Sequence, residues 1–163
     1  MRILVVDSVY PQAIAQATRA DRGWAARNPL EQVTRVLAER FGTWDSLGHA
    51  FRAAGHDATD WLLGVAGSDA ADDAALLAPG FDAKIIQDVG RRSGDVWHAV
   101  ARTCSALIGI INHKHPGVDV LRHYSLTTTA FPHQIAEIER AGITCRYLPC
   151  AFDPRHLDAP PQA

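Results

Sequence analysis

Apolar positions along the chain fall into two alternating kinds of segment. The first kind is short and apolar on successive residues: Ile3-Leu4-Val5-Val6, Thr59-Asp60-Trp61-Leu62, Ala83-Lys84-Ile85-Ile86, Leu107-Ile108-Gly109-Ile110-Ile111, the Thr-rich run Ser125 to Thr129, and Ile143 to Leu148. Runs that are apolar on both faces suit strands buried on both sides, as in a parallel sheet. The second kind has helical spacing. Leu30, Val33, Leu37 and Phe41 fall on one face, with Asn28 placed to cap the helix, Pro29 in its first turn and Gly42 as its stop. A second helix is expected from Trp44 to Ala54, stopped by Gly55. Ser68 can cap a short helix reaching Leu77, with Asp69, Asp72 and Asp73 near its positive end. Val96, Val100 and Cys104 share a face in a helix ahead of the fourth strand, and Pro132 to Ala141 forms the last helix, with Ile135 and Ile138 inward and Gly142 closing it.

The resulting order is strand, helix pair, strand, helix, strand, helix, strand, short link, strand, helix, strand. It predicts an α/β fold: a doubly wound, mainly parallel Rossmann-like sheet of about six strands, with right-handed crossovers and helices on both faces. The link from His113 to His123 is short for a full crossover helix. Ser8 to Arg27 shows no clear periodicity and reads as a long loop or an irregular helix. Residues 1–157 form one expected domain, and 158–163 (Asp-Ala-Pro-Pro-Gln-Ala) a linker or tail.

Composition narrows the function classes. The chain has 163 residues, with 16 Lys+Arg against 18 Asp+Glu, a net charge of −2. That balance gives no electrostatic case for a nucleic-acid partner. A hydrophobic fraction of 47% with 21% charged residues is that of a globular domain and too apolar for a disordered one. No run approaches the roughly 18 apolar residues of a spanning helix. The short N-terminal run Ile3 to Val6 meets Asp7 and is no signal peptide, so a cytoplasmic protein is expected. Cys104, Cys145 and Cys150 are an odd number without a CxxC, which disfavours a disulfide scaffold or a zinc ribbon.

In an open parallel sheet, ligands bind beyond the carboxyl ends of the strands, where helix N-termini offer free N–H groups. The residues that follow the strands are therefore the candidates. Asp7, Ser8 and Tyr10 follow the first; Gln87, Asp88, Arg91 and Arg92 the third; Asn112, His113, Lys114 and His115 the fourth; Thr129, Phe131 and His133 the fifth. Polar and titratable groups thus gather on one edge. Asp7 is placed to act as a base or ligand anchor, although an Asp at a strand end also caps neighbouring N–H groups; Asp88 has the same two readings. His113-x-His115 has a spacing that metals use, but Lys114 lies between and no Cys or Asp is near, so no metal site is assigned. His133 and Glu137, four apart on a helix, are placed to pair. Cys145 and Cys150 flank the last strand and read as structural thiols. Trp24, Trp44, Trp61 and Trp97 read as core or groove packing. GxGxxG after the first strand, GxxxxGK[ST], GxSxG and HExxH are all missing.

Several stretches taken together resemble the N-terminal half of CgeB-like glycosyltransferases, a GT-B type family. They are Met-Arg-Ile-Leu-Val-Val-Asp-Ser-Val-Tyr-Pro (1–11), Glu39-Arg-Phe-Gly-Thr-Trp-Asp-Ser46 followed by Phe51-Arg-Ala-Ala-Gly-His-Asp57, Ile85-Ile-Gln-Asp88, Leu107-Ile-Gly109, Phe131-Pro-His133, Gly142-Ile143, Tyr147-Leu-Pro149 and Phe152-Asp-Pro154. The ordered set spans most of the chain. Ser125 departs from the family's Asp before the fifth strand, and Asn112-His-Lys-His115 departs from its small and polar residues after the fourth. The resemblance implies an acceptor-side domain that would face a separate C-terminal donor-binding domain across a cleft. The chain then needs no cofactor of its own; a nucleotide-sugar donor is implied for the full enzyme, and a glycan or other hydroxyl acceptor for this half. Asp7, Asp88, His113 and His133 are the candidate catalytic residues, one of them a general base on the acceptor hydroxyl. Ser8, Tyr10, Gln87, Asn112 and Phe131 are the candidate substrate contacts. Transfer requires stabilisation of the leaving nucleotide, and no phosphate site is recognisable, so the isolated chain is expected to be inactive as a transferase.

Two other readings share the fold. One is a small-molecule or partner-binding module without catalysis. The other is a degenerate receiver-like signalling domain, since Ile-Leu-Val-Val-Asp also opens such domains and Lys114 follows a late strand; a receiver needs an acidic pair beside its first Asp, where this chain has Ser8 and Val9. An uncovered cleft face would favour a concentration-dependent homodimer.

Overall fold

Each of the six short apolar runs forms a strand: β1 (Arg2–Ser8), β2 (Asp57–Leu63), β3 (Phe81–Ile86), β4 (Cys104–Ile111), β5 (Leu126–Thr129) and β6 (Cys145–Tyr147). The computed structural model describes residues 1–38, 46–87, 89–90 and 92–149. All strand pairs are parallel and the order is β2-β1-β3-β4-β5-β6. The fold is the α/β, Rossmann-like sheet that the alternating pattern predicts. Helices α1 (Pro11–Ala20), α2 (Pro29–Ala38) and α3 (Ser46–Ala53) lie between β1 and β2; α4 (Asp69–Leu77), α5 (Gly94–Ala101), α6 (Val118–Leu121) and α7 (Pro132–Arg140) fill the four later crossovers.

Register decides which residues share a face. Val6 is paired with Trp61 and Ile86, Leu4 with Lys84, and Lys84 with Leu107. Because successive residues of a strand alternate sides, these form one face. It carries the larger core, closed by Ala13 and Ala17 of α1, Val33 and Val36 of α2, Leu76 of α4, Trp97 and Val100 of α5, Leu121 of α6 and Ile138 of α7. The opposite face holds Ile3, Val5, Ala58, Ile85 and Ile110, packed against Leu47 and Phe51 of α3.

Local chemistry sets the helix ends. Asn28 Oδ1 accepts from the Glu31 N–H at 3.0 Å and Glu31 Oε2 accepts from the Asn28 N–H at 3.3 Å, a reciprocal cap on α2. Ser68 Oγ accepts from the Ala71 N–H at 3.3 Å at the start of α4. After α3 the chain must reverse into β2, and Gly55 does this at φ 84°, a conformation that costs a side-chain-bearing residue about 1–2 kcal/mol.

Three expectations are corrected. Of the expected stripe Val33 and Leu37 pack on the core, but the fully buried positions of α2 are Gln32, Val33 and Val36, and Leu30 is 54% exposed. Gln32 Nε2 donates to the Trp24 carbonyl at 2.9 Å, which makes a polar residue an interior one. Residues 8–27 contain a regular helix, α1, and a 3-10 turn at Trp24–Ala26; the buried positions of α1 are Ala13 and Ala17, too weakly apolar to stand out as a stripe. Cys104 opens β4 instead of ending the preceding helix, whose buried residues are Trp97 and Val100. The link after β4 is short, as expected, and holds only the single turn α6, anchored by Leu121. Phe41, Gly42, Trp44, Cys150 and the tail at 158–163 lie outside the described residues.

Two polar arrangements stabilise this frame. Lys84 is 0% exposed; its ammonium donates to the Leu76 and Ala78 carbonyls at the end of α4 and to Thr103 Oγ1 after α5. On β2, the Asp57 N–H donates to Met1 and the Leu63 carbonyl accepts from Val9, so odd-numbered residues point their backbone groups at β1 and even-numbered ones point away. The outward Ala58 carbonyl accepts from Arg52 Nη1 at 2.8 Å, and the same nitrogen lies 2.7 Å from Asp60 Oδ2.

Candidate functional site

Parallel pairing brings the exits of all six strands to one rim, and short polar contacts tie the loops there together. The Gln87 N–H donates to the Val6 carbonyl at 2.7 Å, and the Gln87 carbonyl accepts from Asn112 Nδ2 at 3.1 Å, so the exits of β1, β3 and β4 are joined in sequence. Gln134 of α7 bridges the next pair. Its Nε2 donates to the His113 carbonyl at 3.1 Å, and its Oε1 accepts from Thr129 Oγ1 at 3.3 Å. Thr129 Oγ1 in turn accepts from the Phe131 N–H at 3.1 Å. Gln134 is buried, and nothing local in the sequence marks it, because its partners belong to the exits of β4 and β5.

The sequence candidates lie along this rim in strand order. Asp7 is half-buried in β1, and its Oδ1 accepts from the Ser8 N–H at 2.7 Å, the local capping role open to an Asp there. Ser8 Oγ and Gln87 Nε2 are buried atoms with no hydrogen-bond partner among the described residues. Tyr10, 61% exposed, stands at the N-terminus of α1. Asn112 and His113 are exposed after β4, with His113 Nδ1 2.9 Å from the Lys114 carbonyl. Exposed His133 has its ring 5.9 Å from that of Phe131. Asp88 and Arg91 lie outside the described residues.

Three strand spacings separate β1 from β5. At about 4.8 Å each, that places the exits of β1 and β5 roughly 14 Å apart along the rim.

The expected His133–Glu137 pair is not formed. Glu137 Oε1 lies 3.1 Å from Nε2 of His115, whose Nδ1 accepts from the Gly117 N–H at 3.2 Å. The loop after β4 turns back over α7, so it outcompetes the same-helix neighbour. His113 and His115 therefore engage different partners, and among the described residues no group of three His, Cys, Asp or Glu is placed to hold a metal ion.

A cavity of about 280 Å³ opens at the carboxyl ends of β1 and β2. Val9, Pro11, Ile14 and Leu63 form its apolar wall; Gly64, Asp69, Asp72 and Arg92 form its polar wall. Two tryptophans hold the loops around it. Trp61 Nε1 donates to Asp72 Oδ1 at 3.1 Å, and Trp97 Nε1 donates to the Val89 carbonyl at 3.1 Å. Asp72, read in the sequence only as charge near a helix start, is 2% exposed.

No family model, curated protein or solved structure matches this chain. No helix among the described residues is long and apolar enough to cross a membrane.

Proposed function

We propose that the chain is the acceptor-side half of a nucleotide-sugar-dependent glycosyltransferase. The observation that carries the reading is the rim itself: neutral hydrogen-bonding groups and exposed imidazoles stand on adjacent strand exits, linked from Gln87 through Asn112 to the His113 loop and Gln134. A hydroxylated acceptor lying across β3 to β5 meets Gln87, Asn112 and Phe131 as contacts. His113 or His133 then takes the proton of the attacking hydroxyl. Asp7, at the exit of β1, serves the other end of the groove. The sugar and the departing nucleotide belong to a separate donor-binding domain.

A glycan array probed with the purified chain tests this. Binding to a defined subset of glycans is expected, weakened at least tenfold by Asn112→Ala or His113→Ala. A chain that binds no glycan under conditions where it is folded removes the acceptor role. The non-catalytic binding module is the second reading, favoured by the cavity at the β1 and β2 exits, whose lining includes Arg92 from the loop after β3 but no residue of the β4 or β5 exits. Small-molecule binding that perturbs Ile14 and Leu63 while leaving His113 and His133 unmoved would select it.

A further inference from the structure

Three hydrogen-bond donors, two from the end of β2 and one from the loop after β3, converge on one carboxylate beside the cavity. Gly64, just after β2, donates its backbone N–H to Asp72 Oδ2 at 2.8 Å. The indole of Trp61 donates to Oδ1 at 3.1 Å. Arg92, from the loop after β3, brings Nη2 to 3.1 Å from Oδ2. The carboxylate they share is 2% exposed. A backbone amide, a ring N–H and a guanidinium aimed at one point beside a helix N-terminus form the donor set that binds oxyanions. Here the set is filled from within the chain.

We propose that Asp72 is a built-in anion: its carboxylate occupies a position whose donors would otherwise hold a small oxyanion such as phosphate or sulfate, and closes this part of the rim to anionic ligands. The nearby cap donor is also taken, since Ser68 Oγ accepts the Ala71 N–H. Arg92 is further held by Asp69 at 3.0 Å and by Asp73 at 3.2 Å. Those two contacts keep the guanidinium in place when Asp72 is shortened, and they limit the affinity of any anion that replaces it. The inference is independent of the glycosyltransferase reading, because it concerns only what this position accepts.

The test follows the Gly64 amide and the Trp61 indole by NMR while inorganic phosphate replaces chloride at constant ionic strength. In the unaltered chain both signals should stay still. In Asp72→Ala both should move saturably, with phosphate bound at least about tenfold more tightly than in the unaltered chain, and the further change Arg92→Met should abolish the response. Phosphate binding at these signals in the unaltered chain overturns the proposal; so does a folded Asp72→Ala protein that ignores phosphate. If Asp72→Ala does not fold in chloride, recovery of a native spectrum on adding phosphate or acetate supports the proposal, and failure of both anions to restore it overturns it.

Discussion

Gly48 of α3 lies directly over Asp60 of β2: a Cβ on Gly48 would fall 2.0 Å from Asp60 Oδ1. The helix can approach the edge of the sheet this closely only because that position has no side chain. In an ordinary helix, Gly→Ala stabilises by about 1 kcal/mol. Here the added methyl would push the Asp60 carboxylate, 8% exposed and held by Arg52, out of place. Overpacking costs about 1–3 kcal/mol, so the clash wins. Gly48→Ala should lower the midpoint of urea unfolding, and an unchanged or higher midpoint would show that α3 shifts freely.

Lys84 ties the ends of α4 and α5 to β3 by three donated hydrogen bonds. Replacing it with Met keeps the bulk but leaves the Leu76 and Ala78 carbonyls without this partner. Loss of about 1–3 kcal/mol is expected from denaturation curves at neutral pH.

The same residue predicts an alkaline signature. Burial lowers the Lys84 pKa below its ordinary 10.5. Between that lowered value and 10.5 the unfolded chain binds more protons than the folded one, so this group makes stability rise with pH across the interval. Cys104 acts in the opposite sense. Burial raises its thiol above 9.0, so its contribution falls as pH climbs past the unfolded value. In a Cys104→Ala background, the stability gain as pH rises towards 10.5 should be present with Lys84 and missing with Lys84→Met. Parallel curves for the two would contradict the assignment.

Gln134 is the hinge pin between the β4 and β5 exits. Gln134→Leu fits the same space but releases the His113 carbonyl and Thr129 Oγ1. A global cost of about 1 kcal/mol is expected. The sharper readout is amide exchange: protection in the 113–117 loop should fall while the centre of β4 is unaffected.

Trp97, 0% exposed, is both a core residue and the tether of the loop after β3. Trp97→Phe retains an aromatic ring and loses the bond to the Val89 carbonyl. Local opening around Val89 and Gly90 should increase by about five- to tenfold in exchange rate, corresponding to roughly 1 kcal/mol. Equal exchange in both proteins would mean that packing alone holds the loop.

The strands were legible because β-branched runs such as Ile108 to Ile111 mark buried parallel strands irrespective of their neighbours. Capping was legible for the same reason: Asn28 and Ser68 act on residues three positions away. What the sequence hid was three polar residues made interior by partners in other elements. Gln32 is buried by the Trp24 carbonyl, Gln134 by His113 and Thr129, and Asp72 by Trp61, Gly64 and Arg92. The rim residues Asp7, Ser8, Gln87, Asn112 and His113 were found because strand direction alone fixes the end at which they emerge. Their links were not, since these depend on side chains of α7 and on the turns between elements.

The guanidinium on Ala58 gives the sheet a direction of growth. One margin is stoppered by a charge that any incoming backbone would have to displace, while the far margin ends in three residues with Tyr147 largely in solvent. A further ribbon, whether from this polypeptide or another, is thereby steered to the side of Tyr147, and assembly through β2 is discouraged by the fold itself.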